Sequence, residues 1–311
     1  MFLIACVAIA RAASADPAFA PATAGFNLHY RDEVSSYSIN PLFVVPHEAI
    51  SLHVSGIRLD ERIDVSVSGG RLRETGARSW TWFAPASPGL YPIRLQRRSA
   101  GSEMTVNAFV LVPMSAIRDG KLNDYQIGKY PSTPLKKLPA YRTPSGFIEV
   151  TPENRDVPLT PHFRLGQFLC KQASGYPKYV VLRERLLFKL ELLLETVNAR
   201  GFQTSTLEVM SGYRTPFYNK AIGNDTSYSR HVFGDAADIF IDVSPRDGVM
   251  DDLNRDGKID QHDAQVLFEI IDELAGKSHY LPFLGGLARY RATVQHGPFV
   301  HVDTRGFRAR W

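Results

Sequence analysis

Cysteine is almost absent from this sequence: Cys6 and Cys170 are the two in 311 residues. A fold held together by a disulfide network is therefore excluded. No stretch reaches the roughly 18 consecutive apolar residues that a membrane-spanning helix needs. A strong excess of one charge is also missing. Thirty-six Lys and Arg stand against 32 Asp and Glu, for a formal net charge of +4. No Lys/Arg run resembles a nucleic-acid-binding arm, so DNA and RNA are not expected partners. The remaining composition, 44% hydrophobic and 22% charged, is that of a globular protein and excludes global disorder. The length accommodates about two domains at roughly 100–200 residues each.

The N-terminus, MFLIACVAIARAASA, joins a short apolar run to small residues, and Ala13-Ser14-Ala15 before Asp16 fits an A-x-A cleavage site. Residues 1–15 are read as a signal peptide, although the usual basic n-region is missing. The expectation is an exported protein, periplasmic or extracellular and associated with the cell envelope. Leu3-Ile4-Ala5-Cys6 also has the form of a lipoprotein cleavage box, but the apolar run continues past Cys6. Signal cleavage would leave Cys170 as the single cysteine.

Residues 26–113 read as an immunoglobulin-like β-sandwich. Ile50, Leu52 and Val54 alternate with polar neighbours, as do Ile63, Val65 and Val67. Trp80, Trp82, Leu90 to Leu95 and Val106 to Val112 continue the pattern, with turn signals between the segments. Residues 114–160 are too rich in proline for helices to persist, yet Tyr125, Tyr130, Tyr141 and Phe147 point to a segment packed along a domain. From residue 161 the texture changes. Leu182, Leu186, Leu187, Leu190, Leu193, Leu194 and Val197 fall on one face at helical spacing, with Arg183, Glu184, Lys189 and Glu191 on the other and Gly201 as the terminator. Short strands follow at 207–210, 237–242 and 299–303. A helix followed by several short strands points to an α+β domain over residues 161–311.

Chemistry concentrates in this second half. Asp238 opens an apolar strand, where an unpaired carboxylate is costly to bury. His301 and Asp303 share one face of the strand 299–303. His231, Asp238 and His301 together form a His₂Asp set, and catalytic zinc sites use three protein ligands with one position left for water. On composition alone, a metal site and an incidental grouping both stay open.

The local pattern is more specific. Ser229-x-His231-x-x-Gly234-x-Ala236-x-Asp238, preceded by Ser211-Gly212-Tyr213-Arg214 and followed by His301-Val302-Asp303, resembles the zinc D-Ala-D-Ala carboxypeptidases. That family includes the vancomycin-resistance D-Ala-D-Ala dipeptidases and related murein carboxypeptidases. The resemblance covers about residues 160–311 and is closest to the branch ending in a strand of the type Phe-Val-His-Val-Asp, here with Arg310 and Trp311 after it. It implies an α+β zinc peptidase domain with His231, Asp238 and His301 as zinc ligands. Arg214 matches the arginine that holds the substrate peptide near the scissile bond, a task suited to a guanidinium. Ser229 matches the serine beside the ligand loop, with an orienting role. Asp303 is placed to orient a histidine from behind. The family carries a general base two or three residues before the last zinc histidine. Here those positions are Phe299 and Pro298, and neither moves a proton. His296 is the nearby base candidate.

A second, independent signal is the stretch Asp252 to Asp263, which matches an EF-hand calcium loop. Asp252, Asn254 and Asp256 supply positions 1, 3 and 5, the Lys258 carbonyl position 7, Asp260 position 9 and Asp263 position 12, with Gly257 at the sharp turn. Asp263 replaces the usual glutamate. A helix is expected from Asp263 onward. The expected cofactors are thus Zn²⁺ and Ca²⁺. The expected function is hydrolysis of peptide bonds at D-amino acids in peptidoglycan peptides, by carboxypeptidase or endopeptidase action. Two alternatives stay open: a zinc-containing murein-binding or scaffolding protein with little turnover, and an interaction protein whose β-sandwich carries the function.

Overall fold

The computed structural model describes residues 19–311, so the expected signal peptide and Cys6 lie outside the described residues. Cys170 is buried. Strand (33%) outweighs helix (22%), which makes the chain mixed and sheet-rich.

Alternating burial builds the first half. β1 (Thr23–Tyr30), β2 (Glu33–Tyr37), β3 (Ile39–Val44), β4 (Ala49–Ser55), β5 (Ile63–Val67), β6 (Arg71–Gly76), β7 (Ser79–Phe83), β8 (Gly89–Arg97) and β9 (Ser102–Val110) form two sheets. One has the order β2-β1-β4-β7-β6 and the other β3-β9-β8-β5, with β3 and β9 parallel. In β1 and β4 every second residue is buried. Leu28, Leu52, Val54 and Trp82 from one sheet share a core with Leu42, Ile93, Leu95 and Val106 from the other. Trp82 is fully buried, and its indole N–H donates to the Gly69 carbonyl at 3.0 Å, which satisfies the one polar atom of that side chain.

The proline-rich segment packs rather than hangs free. Within it and beside it lie β10 (Val112–Pro113), the hairpin of β11 (Lys121–Leu122) and β12 (Tyr125–Gln126), β13 (Gly146–Val150) and, further on, β14 (Lys178–Val180). Tyr125, Tyr141 and Phe147 are buried, and the Tyr130 hydroxyl meets that of Tyr213 at 2.8 Å.

The leucine-rich run forms α1 (Glu184–Ala199), and Gly201 follows it at a φ of +92°. Two residues expected on its polar face are buried. The Lys189 ammonium donates to the backbone carbonyls of Phe283 and Asp303 at 3.1 and 2.8 Å. Glu191 accepts from the backbone N–H of His162 at 2.9 Å and lies 2.7 Å from its ring Nδ1. Both are covered because each finds polar partners in elements that pack over that face, a pairing periodicity does not encode. α1 also joins the two halves: Phe188 belongs to the sandwich core, the Phe43 N–H donates to Glu184 at 3.0 Å, and the Tyr37 hydroxyl donates to Glu195 at 3.0 Å.

The remaining elements are β15 (Glu208–Ser211), α2 (Pro216–Ala221), β16 (Ala236–Phe240), α3 (Gln261–Asp272), β17 (Gly286–Tyr290), β18 (Phe299–Asp303) and β19 (Ala309–Arg310). Their five strands form one sheet in the order β15-β16-β18-β17-β19, and α3 packs on β17 and β18.

Candidate metal centre

Strand register brings the first two residues of the site together. β16 and β18 are antiparallel neighbours in which Asp238 stands directly opposite His301 and Ala236 opposite Asp303. Such opposed residues have Cβ atoms about 4.5–5.5 Å apart. The third residue arrives on the short turn Arg230–Phe233 that leads into β16. Gly234 ends that turn at a φ of +71°, where a Cβ would stand 2.3 Å from the Val181 carbonyl oxygen, so glycine is required both for its backbone and for its size. The turn is braced by a buried ion pair, Arg230 with Asp235, in which Nε donates to Oδ1 at 2.9 Å. The Arg230 guanidinium also lies 4.1 Å over the Tyr141 ring.

The structure gathers His231, Asp238 and His301, all buried, with ligand atoms within 4.8 Å of one another. His231 Nε2 lies 3.2 Å from His301 Nδ1 and 3.2 Å from Asp238 Oδ1, and His301 Nδ1 lies 2.9 Å from Asp238 Oδ1. The outer nitrogens fix the tautomers. His231 Nδ1 lies 2.7 Å from the Gly212 carbonyl oxygen and must donate to it. His301 Nε2 lies 3.2 Å from Asp303 Oδ2 and donates in turn. In their neutral forms both imidazoles then turn an inner lone pair toward the Asp238 carboxylate. Three acceptors this close repel unless a proton or a cation lies among them. A divalent ion with ligands at about 2.0–2.2 Å in a tetrahedron sets ligand atoms about 3.3–3.6 Å apart. The observed edges are a few tenths of an ångström shorter, so the three atoms fit one tetrahedral face with slight relaxation.

The acidities describe the same cluster with a proton, rather than a cation, held among the three atoms. Burial alone would raise the Asp238 carboxyl, but His231 and His301 outweigh it and hold it below the usual carboxylate range. Burial lowers the His231 imidazole, with Asp238 opposing. At His301 burial also lowers, but hydrogen bonds to Asp238 and Asp303 prevail and raise it. Asp303 is fully buried, accepts from the Gly286 N–H at 2.8 Å and pairs with Arg305 at 2.5 Å. Burial would raise this carboxyl too, but His301 and Arg305 hold it well below its ordinary value.

Arg214 meets the second oxygen of Asp238: Nη2 donates to Oδ2 at 2.5 Å, while Nε donates to Ser211 Oγ at 2.8 Å. That pair leaves Oδ1 to the histidines. His231, Asp238 and His301 line a cavity of about 570 Å³ together with Ser229, Arg214 and Arg305. Ser229 precedes the His231 turn, and its carbonyl accepts the Val232 N–H at 3.0 Å. His296 lines a different cavity, of about 290 Å³, which shares Arg214 with the first. Its Nδ1 donates to the Gly297 carbonyl at 2.8 Å. Pro298 also lines the smaller cavity, while Phe299 lines the larger and stacks on Tyr290 at 4.6 Å.

Sequence reasoning passed over Tyr228 and Tyr290, and marked Tyr141 and Trp311 for packing and for the motif rather than as parts of an aromatic wall. Tyr141, Tyr228, Tyr290 and Trp311 line the larger cavity, and the Trp311 ring lies 5.4 Å from that of His301. These residues come from four separated segments, so no local pattern announced the wall. The Gly212 carbonyl is equally silent in sequence, because any residue can supply a carbonyl.

The 252–263 loop is closed by its own side chains. Asp252 Oδ2 accepts the Gly257 N–H at 2.8 Å, Asn254 Oδ1 the Asp256 N–H at 2.9 Å, and Asp256 Oδ1 the Lys258 N–H at 2.9 Å. Gly257 has a φ of +81°. Asp263 is buried and accepts from the backbone N–H groups of Leu253, Asn254 and Asp260, while Asp260 caps α3 by accepting the His262 N–H at 2.7 Å. Both residues thus serve the start of the helix. Among the described residues, the His231 group is the one set of three or more His, Cys, Asp and Glu side chains converging within metal-binding range. No helix is long and apolar enough to cross a membrane among the described residues. A scan against protein-family models matches none, and a search of curated proteins finds no match.

Proposed function

We propose that this chain is a zinc-dependent metallopeptidase that hydrolyses peptide bonds at D-amino acids in peptidoglycan peptides. One observation carries the reading: both histidines have their outer nitrogens tied, so two inner nitrogens and one carboxylate oxygen meet 2.9–3.2 Å apart beside an open cavity. Two imidazoles and one carboxylate suit zinc with one position left open. When bound, zinc supplies Lewis-acid polarisation of the scissile carbonyl and an acidified water. The chain's own residues prepare the rest. Asp303 and the Gly212 carbonyl hold the imidazoles in the tautomers that expose the inner nitrogens. Arg214 fixes Asp238 and faces both cavities, where it can grip a substrate oxygen. In the net reaction the acyl carbon takes the hydroxyl of water and the released amine takes its proton. Export rests on residues 1–15. We read the two-sheet unit as an immunoglobulin-like accessory sandwich and the C-terminal half as an α+β peptidase domain. We further place Ca²⁺ in the 252–263 loop, as a brace for α3.

A second reading is favoured by Phe299 and Pro298, which stand where the resemblance implies a general base: a zinc-containing murein-binding protein with little turnover. Mass spectrometry of muropeptides after incubation with the metal-loaded chain separates the two. New cleavage products that vanish with chelator and in a folded His231→Ala variant establish the peptidase. Zinc retention with unchanged muropeptides establishes the binding protein, and failure to bind a divalent ion removes both.

A further inference from the structure

The outer face of the sheet β2-β1-β4-β7-β6 has a chemistry of its own. Its five strands carry two acids, Glu33 and Glu74, which stand opposite Tyr30 and Trp80 of the buried core. Opposed residues share a face, so both acids lie on the inner side and no strand residue of the outer face carries a carboxylate. Arg71 and Arg73, both exposed on β6, stand opposite Phe83 and Thr81 on that outer face. Their guanidiniums lie 4.3 and 5.8 Å from the centre of the Phe83 ring and make no hydrogen bond or ion pair with any described residue. A guanidinium over a ring keeps its in-plane N–H donors for an incoming anion. The rest of the face is polar. Ser51 stands opposite Thr81, and His29 opposite His53, with His29 Nε2 2.6 Å from Ser55 Oγ and His53 Nδ1 2.9 Å from Ser79 Oγ.

We propose that this face binds an acidic polysaccharide, with Arg71 and Arg73 taking its anionic groups and the row of hydroxyls and imidazoles taking its sugar hydroxyls. Residues i and i+2 of a strand lie about 7 Å apart, so the two cations suit successive anionic units of a polymer better than one small ion. A single-stranded nucleic acid needs uncovered rings for base stacking, whereas the phenyl ring here is covered by Arg71 and both imidazoles are tied to serines. A membrane surface needs a larger cationic cluster or an inserted apolar group, and Val34 is the one large apolar side chain exposed on this face. The inference concerns the N-terminal sheets and does not rest on the metallopeptidase reading.

The test measures calorimetric binding of the full chain to a galacturonate oligosaccharide and to a neutral dextran of equal length, at low and at physiological salt. The galacturonate is expected to bind about tenfold tighter than the dextran and to weaken as salt rises. Arg71→Gln combined with Arg73→Gln should weaken galacturonate binding about tenfold and remove its salt dependence. Arg71→Lys combined with Arg73→Lys should keep the salt dependence, because the charge is retained. Both arginines are exposed, so melting curves and zinc affinity matching the unmodified chain are expected for both variants. Equal binding of galacturonate and dextran, or unchanged galacturonate binding in the Gln variant, overturns the proposal. Tighter binding of a single-stranded oligonucleotide or of phosphatidylglycerol vesicles than of the galacturonate also overturns it. Muropeptide turnover without galacturonate binding leaves the metallopeptidase reading standing and removes this surface. Galacturonate binding without turnover keeps the surface and removes the metallopeptidase reading.

Discussion

Replacing Asp303 by Asn changes one charge behind the metal centre and leaves all three candidate ligands in place. The carboxylate accepts from His301 Nε2 at 3.2 Å and from the Arg305 guanidinium on both oxygens. Asparagine offers one acceptor and one donor, so an N–H must face either the imidazole N–H or the guanidinium. The imidazole relieves the clash by moving its proton to Nδ1 or by rotating, and either change withdraws the inner lone pair. Outer partners of metal-bound histidines are worth about 10–100-fold in metal affinity, or about 1.4–2.7 kcal/mol. Arg305 also loses its counter-charge, but it keeps some contact with water, so the stability loss stays below the about 3–5 kcal/mol of a fully buried broken pair. Zinc competition against a chromophoric chelator, run below the melting temperature of the variant, reads the affinity alone. Affinity within about twofold of the unmodified chain would refute the argument that Asp303 sets the His301 tautomer.

Three further outcomes follow from the geometry. Burial lowers the Lys189 ammonium from about 10.5 to about 7. The unfolded chain therefore binds the extra proton between pH 7 and 10.5, so this group makes stability rise with pH across that window, by a few kcal/mol on the order of its shift. Urea unfolding should show a shallower rise for Lys189→Met, and equal slopes would contradict it. Gly234→Ala forces a side chain against the Val181 carbonyl at a positive φ. A loss of more than about 2 kcal/mol in thermal unfolding is expected, together with weaker metal binding because His231 moves. Calcium should stabilise the chain by about 2.7 kcal/mol at a hundredfold excess over its dissociation constant. An unchanged melting temperature with and without chelator, or the same gain in Asp252→Ala, would remove calcium from the loop.

Much of the fold was legible because it follows from periodicity. The alternation at Ile50, Leu52 and Val54 becomes β4, and Phe299 to Asp303 becomes β18 with the boundaries read from sequence. β1 escaped notice although Ala24, Phe26, Leu28 and Tyr30 alternate cleanly, because small and polar residues around Gly25 dilute the signal. The site was legible where chemistry sits in short motifs, as with His231 and Asp238. It was illegible where geometry comes from register or backbone. Nothing in the sequence tells that the Gly212 carbonyl holds His231, or that Asp260 and Asp263 cap α3 while belonging to a calcium-loop pattern. Lys189 and Glu191 looked solvated on the helical wheel, because the wheel knows nothing of the carbonyls and the imidazole that cover them.

The position of α1 has a consequence for how this molecule can be taken apart. A single helix inserts Phe188 among the sandwich side chains and, one residue later, reaches with Lys189 to the carbonyl of Asp303, at the end of the strand that bears His301. Cutting away the N-terminal sheets would bare an aromatic ring beside the very residue that anchors the floor of the cleft. The front half is thus a buttress, and the protein should melt in one cooperative step, with the cation site lost at the same temperature as the strands that never touch it.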